Sequence, residues 1–127
     1  METIVVQETD KEVLEVLTIA LQMEGFKVFA SQNLDKNILD LVEKQKPHVV
    51  MLDYRLKGDA AIEMCKLIRK KYPYLPVIAL SCNSNIHNIY SQQGFADYIE
   101  KPFDLDLLYA VLRKHISKLS DIVDKFV

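Results

Sequence analysis

The chain has 127 residues, 50% of them hydrophobic and 27% charged, with 16 basic against 18 acidic side chains and a formal charge of −2. That length holds one domain around one core, and the composition argues against disorder and low complexity. The charge balance leaves no basic footprint for nucleic acid or an anionic membrane, and no apolar run is long enough to cross a bilayer.

The opening METIVVQETD lacks the basic stretch of a secretion signal, so the expectation is a cytoplasmic domain. Cys65 and Cys82 are then expected as reduced, buried packing residues rather than a disulfide. Thr3 to Val6 (TIVV) is an apolar, β-branched run ending at Gln7 and Glu8, the pattern of a fully buried strand. Val13, Leu14, Leu17, Ala20 and Leu21 then recur at helical spacing, with Gly25 as a stop. Phe26 to Ala30 alternates as a second strand. Ser31 or Asn33 is a candidate cap for a second helix with Leu34, Ile38, Leu41 and Val42 inside.

Val49 to Leu52 (VVML) is again uninterrupted and closes on Asp53. Asp59 suits the N-cap of a third helix with Ile62, Cys65, Leu67 and Ile68 inward and Lys66, Arg69, Lys70 and Lys71 outward. Val77 to Leu80 (VIAL) is a fourth buried strand ending at Ser81. The Asn- and Ser-rich Ser81–Gln93 stretch predicts a short or loosely held helix. Ala96 to Ile99 gives a fifth strand, and a last helix starts at Asp104. Strict alternation of strand and helix predicts βαβ crossovers and an α/β fold, a parallel sheet with helices on both faces.

Ligands of such sheets sit at the carboxyl ends of the strands. There the sequence puts Gln7 and Glu8, then Asp53, Ser81 and, two residues past the fifth strand, Lys101. Carboxylates on one rim suit a hard cation such as Mg²⁺, and a hydroxyl with an ammonium suits phosphoryl oxygens. Taken residue by residue there are plainer readings. Lys101 can be a structural counter-ion of Asp53, Glu8 and Gln7 can cap the first helix, and Tyr98 can be a packing residue with a polar tip. No glycine-rich phosphate loop is present, and His48, His87 and His115 share no ligand spacing with the cysteines.

In order and spacing, the polar pair after the first strand, VVMLDYRLKG around Asp53, VIALS ending at Ser81 and DYIEKPF around Lys101 resemble the receiver domain of two-component response regulators. The resemblance covers Thr3 to about Lys114 and implies a (βα)5 flavodoxin-like three-layer sandwich, CheY-like, with strand order 2-1-3-4-5. It implies a protein that is not a turnover enzyme. On that resemblance Asp53 would accept a phosphoryl group from a sensor histidine kinase or phosphotransfer protein, slowly lose it, and signal to an effector domain or protein. Glu8, Asp53 and the carbonyl of Arg55 would hold Mg²⁺, with Gln7 contributing through water. Lys101 and Ser81 would bind phosphoryl oxygens, and Ser81 with Tyr98 would switch the surface of the fourth helix, fifth strand and fifth helix. It also implies a cis Lys101–Pro102 bond.

Gln7 stands where the family has an acid, so the resemblance also implies a weakened metal site. Lys57 replaces a common proline, and Cys82 occupies a position that controls access to the acceptor. The alternative reading is a phosphorylation-independent pseudo-receiver serving as a protein-interaction module. A flavin-binding domain of the same fold would need a Ser/Thr-rich loop after the first strand, where only Thr9 stands.

The whole chain, 1–127, reads as one receiver. The stripe Leu105, Leu108, Leu112, His115, Leu119, Ile122 and Phe126 continues past what its last helix needs. Residues 115–127 are therefore either a seam between two protomers, a helix toward a missing effector, or a helix folded on its own domain.

Overall fold

The computed structural model describes the main chain of residues 1–126 and the side chains of residues 1–118. Five strands and five helices alternate: β1 Thr3–Gln7, α1 Lys11–Met23, β2 Lys27–Ser31, α2 Lys36–Gln45, β3 Val49–Tyr54, α3 Asp59–Lys71, β4 Val77–Ser81, α4 Ile86–Ile89, β5 Asp97–Glu100 and α5 Leu105–Phe126. All pairings are parallel, in the order β2-β1-β3-β4-β5. The order reverses between β1 and β3, which opens a crevice at the carboxyl ends of those two strands.

The two-residue period of a strand divides the core in two. Val5, Val50, Leu52, Val77 and Ala79 face α2, α3 and α4, where they meet Ile38, Val42, Met64, Cys65, Ile68 and Ile86. Ile4, Val6, Val49, Met51, Ile78 and Leu80 face α1 and α5, where they meet Leu14, Leu17, Leu21, Leu108, Leu112 and Ile116. With both faces covered, every residue of β3 and β4 is buried, which is why those strands are apolar up to the polar Asp53 and Ser81 at their carboxyl ends. Each large side chain among them contributes about 1.5–3 kcal/mol to folding.

Several boundaries differ from the sequence reading. The cap of α2 is Asp35, whose side chain accepts from the Asn37 N–H, because Ser31 stays in β2 opposite Gln7. Asp59 is the first residue of α3 rather than its cap. Gly58 precedes it at φ +78°, and its N–H closes a turn on the Arg55 carbonyl at 2.7 Å. An added Cβ on Gly58 would lie 2.2 Å from the Tyr54 ring, so no other residue fits that turn. Leu67, expected inward, is 45% exposed, and Cys82, expected buried, is exposed. Cys65 is buried as expected, and burial pushes its thiol up to about 11.

The short α4 was legible: four residues, anchored by the buried Ile86. In α5, Leu108, Leu112, His115 and Ile116 face the domain, while Leu105 is 45% exposed. The outer part of the predicted seam, from Leu119 on, lies outside the described side chains. Among the described residues no helix is long and apolar enough to cross a membrane.

Candidate functional site

Strand parity decides which polar residues meet. Glu8 continues the series Ile4, Val6, and Asp53 the series Val49, Met51, so both side chains leave the sheet on the α1/α5 side. The segment after β5 brings Lys101 to the same side. Glu8 and Asp53 are 1% and 3% exposed, and both pair with the Lys101 ammonium, which lies 2.7 Å from Asp53 Oδ1 and against Glu8 Oε1. Glu8, Asp53, Lys101 and Arg55 line one cavity of about 450 Å³, together with Thr9, Asp10, Val13, Tyr54, Leu56, Cys82 and Asn83.

Each group is held from a different direction. Asp53 Oδ2 accepts from the Thr9 N–H at 3.2 Å, and Glu8 Oε2 from the Asp10 N–H at 2.9 Å. Asp10 rather than Gln7 or Glu8 caps α1, accepting from the N–H groups of Glu12 and Val13. Burial pushes the Asp53 carboxyl up, but hydrogen bonds from Lys101 and Thr9 and the Lys101 charge outweigh it, holding the group below its ordinary value. Burial likewise pulls Lys101 down, and the two carboxylates more than reverse that, raising it above an ordinary lysine. The result is an ionised carboxylate with a fixed cation beside it.

Glu8 Oε1 is buried, and the Lys101 ammonium against it is its one partner among the described residues. The other candidates stand apart. The fully buried Gln7 does not line the cavity; its carbonyl oxygen accepts from the Asp53 N–H at 3.1 Å and its amide donates to the Gln32 carbonyl at 3.0 Å. Ser81 is buried behind Cys82 and Asn83, its Oγ accepting from the Asn83 N–H at 2.9 Å. Tyr98 is half-buried against Tyr90, with ring centroids 5.0 Å apart. The Lys101–Pro102 bond is cis, as the resemblance implies.

The roles of four residues escaped the sequence reading. Thr9 acts through its main-chain N–H, which no side-chain motif advertises. Tyr54, beside Asp53, points to the opposite face, where its hydroxyl lies 3.0 Å from the Lys57 carbonyl and 2.7 Å from Gln93 Oε1. Asp97 and His115, well removed from the cavity, form a largely buried pair at 2.9 Å that ties β5 to α5. The spacing of Asp97 from His115 carries no signal, since the register of α5 on the sheet alone brings them together.

The model of the response regulator receiver domain matches residues 4–113. Among solved structures, NtrX from Brucella abortus superposes with a TM-score of 0.83 at 26% identity, covering 96% of this chain and 28% of that one. The response regulator TrrA from Thermotoga maritima, solved with Mg²⁺ and BeF, gives 0.79 at 26% identity over 91% of this chain and 99% of its own. A receiver domain from Clostridium thermocellum gives 0.85 at 18% identity, a likeness of fold, over 96% of this chain and 99% of its own. The chain thus spans less than a third of NtrX and nearly the whole of the single-domain proteins. With the sheet order, the Glu8–Asp53–Lys101 cluster and this match in agreement, the chain belongs to the receiver domain family of response regulators, signalling domains of two-component systems.

Proposed function

We propose that the chain accepts a phosphoryl group on Asp53 from a sensor histidine kinase or phosphotransfer protein in the cytoplasm, and passes the signal to an effector. The observation that carries this reading is the Lys101 ammonium 2.7 Å from Asp53 Oδ1 in a cavity shared with Glu8. Asp53 is held ionised, so it needs no base to act as a nucleophile. One Asp53 oxygen forms the bond to phosphorus while the P–N bond of a phosphohistidine breaks. The electron pair stays on the ring nitrogen, and the other nitrogen already carries a proton, so neutral imidazole leaves. With an acyl phosphate the P–O bond breaks and a carboxylate leaves.

Lys101 offsets the charge of the arriving phosphoryl oxygens. Ser81 keeps its own hydroxyl proton to donate to one of them, since its oxygen is at present an acceptor. That donation is coupled, with Tyr98, to the surface formed by α4, β5 and α5. The acyl phosphate on Asp53 is slowly hydrolysed and the domain does not turn over substrate. Residues 115–127 would lead the single receiver on toward an effector or a second protomer.

The donor set suits a hard cation: Glu8 and Asp53 with the Arg55 carbonyl would hold Mg²⁺, and Glu8 Oε1, whose one partner is the Lys101 ammonium, still has lone pairs to offer it. When bound, the ion offsets the charge of the two acids so that an anionic donor can approach. Lys101 already neutralises part of the charge of Glu8 and Asp53, so binding is weak.

The test is intact mass after incubation with acetyl phosphate and Mg²⁺. One phosphoryl adduct, absent in Asp53→Asn, is expected. No adduct on the wild type would overturn the reading in favour of a pseudo-receiver acting by interaction alone, which the withdrawal of Gln7 from the cavity favours.

A further inference from the structure

Gln7 occupies the end of β1, fully buried, in register with Ser31 on one side and Leu52 on the other. It continues the series of Val5, so its side chain leaves the sheet on the face opposite Glu8 and Asp53. Its carboxamide is used at both ends. The oxygen accepts from the Asp53 N–H at 3.1 Å, and the nitrogen donates to the Gln32 carbonyl at 3.0 Å and, longer, to Thr9 Oγ1 at 3.4 Å. Gln32 answers by donating its own amide to the Thr9 carbonyl at 3.1 Å. Thr9 in turn donates its N–H to Asp53 Oδ2 at 3.2 Å. A closed circuit results, in which Gln7 holds the Asp53 main chain and holds the residue that holds the Asp53 carboxylate.

Only an amide can complete this circuit. Asp53 presents a donor and Gln32 an acceptor, which also fixes the orientation of the carboxamide. A carboxylate at position 7 would still accept from Asp53 but would set a second oxygen against the Gln32 carbonyl, two buried acceptors with no proton between them.

We infer that Gln7 is a positioning residue for phosphoryl transfer, an uncharged strut that fixes Asp53 through its main chain and through Thr9, not a depleted metal ligand. The inference deepens the reading of Asp53 as the acceptor and rests on it. A strut of this kind acts on the attack geometry, where small displacements are expensive, and not on donor binding, which the cavity groups supply. Restoring an acid at position 7 therefore does not improve the site.

The experiment compares wild type, Gln7→Glu and Gln7→Met, of similar length, by three readouts. For adduct formation from acetyl phosphate, both variants lower the maximal rate about tenfold and leave half-saturation unchanged. In calorimetric titration, neither binds Mg²⁺ more tightly than wild type. By NMR, Gln7→Met speeds hydrogen exchange at the Asp53 and Thr9 amides and Gln7→Glu at the Thr9 amide, while the rest of the sheet stays protected. Tighter Mg²⁺ binding by Gln7→Glu with a maximal rate equal to or above wild type would overturn the inference. If a Gln7 variant does not fold, Gln32→Met at an exposed position decides, because it removes the donor to the Thr9 carbonyl: a lower maximal rate with faster Thr9 exchange supports the strut, and wild-type values overturn it. If the wild type itself forms no adduct, the acceptor reading fails. The exchange measurement then stands alone: unchanged protection at Asp53 in Gln7→Met removes the strut as well.

Discussion

Replacing Lys101 by methionine keeps the length of the side chain and removes one positive charge from between two buried carboxylates. At 2.7 Å, and with an effective dielectric near 20, the Lys101–Asp53 attraction alone is roughly 6 kcal/mol before desolvation. Releasing the ammonium from its buried position returns part of that. What remains is the cost of stranding charge, about 3 kcal/mol at neutral pH. The pH dependence follows from the direction of each shift. In the wild type Asp53 titrates below its ordinary value of 3.8, so its contribution is present above that value and lost as the pH falls through the folded one. Lys101 titrates above 10.5, so its contribution is intact throughout the neutral range and lost only at higher pH.

In Lys101→Met, burial and the facing Glu8 raise the Asp53 carboxyl, and an acid raised by folding withdraws stability as the pH climbs past its ordinary value. The gap between wild type and variant is therefore smallest near pH 4 and widest at about pH 7. Urea denaturation at both values, in chelator and in Mg²⁺, measures it. Mg²⁺ raises the midpoint of the variant more than that of the wild type, because the ion meets no ammonium at the same carboxylates. A loss under about 1 kcal/mol at neutral pH, or one that does not change with pH, would refute the view that these three charges depend on one another.

Gly58→Ala is expected to cost about 3 kcal/mol or more, from positive φ together with the Tyr54 clash, whereas Gly25→Ala, at φ +94° with open space around its Cβ, costs about 1. Equal urea midpoints for the two would remove the clash. Of the two thiols, Cys82 reacts with a disulfide reagent in the native protein and Cys65 only after unfolding, read as one label and then two. Two equally fast native reactions would contradict the burial of Cys65. Burial pushes Asp97 up, but the His115 hydrogen bond and the Tyr98 N–H outweigh it, so its contribution is present above 3.8 and lost as the pH falls. Asp97→Asn therefore costs about 1–3 kcal/mol at neutral pH and little in strong acid, a profile that thermal melts across pH would confirm or deny.

The strands were legible because a doubly covered parallel sheet demands uninterrupted apolar runs, and VVML and VIAL leave no other reading. Strand β2 was placed one residue early because Phe26 is apolar for a different reason. Its ring fills the α1/α5 core while its N–H closes the end of α1 on the Leu21 carbonyl. Leu67 was misplaced because position within a helix gives a face, not the width of the surface that covers it. At the site, Glu8, Asp53 and Lys101 could be named because each ends a strand or follows one. The direction of Gln7 was also implicit in strand parity, yet its partners were not. Gln32 and Thr9 lie in loops, and which loop atoms reach a buried amide depends on closure of the whole sheet edge.

The arrangement at that edge explains how long side chains hold a fixed geometry. Lys101 is tied at its root as well as its tip: its N–H donates to the Ser81 carbonyl at 2.8 Å while its ammonium reaches Asp53. Asp53 is tied at its N–H by Gln7 and at its carboxylate by Thr9. Every charge is thus referred back to a β-strand, the least deformable part of the molecule, and preorganisation of this kind is what electrostatic catalysis requires. Ser81 is where this rigid edge meets the loosest element. Its hydroxyl accepts from the Asn83 N–H, and the Asn83 carbonyl and side chain accept from the N–H groups of Ile86 and Asn85 at the start of α4. Beyond that chain of hydrogen bonds, the four-residue helix sends one fully buried side chain, Ile86, into the core. A phosphoryl oxygen on Asp53 that took the Ser81 proton would re-aim that hydroxyl and act on α4 first, while the sheet beneath it stayed fixed.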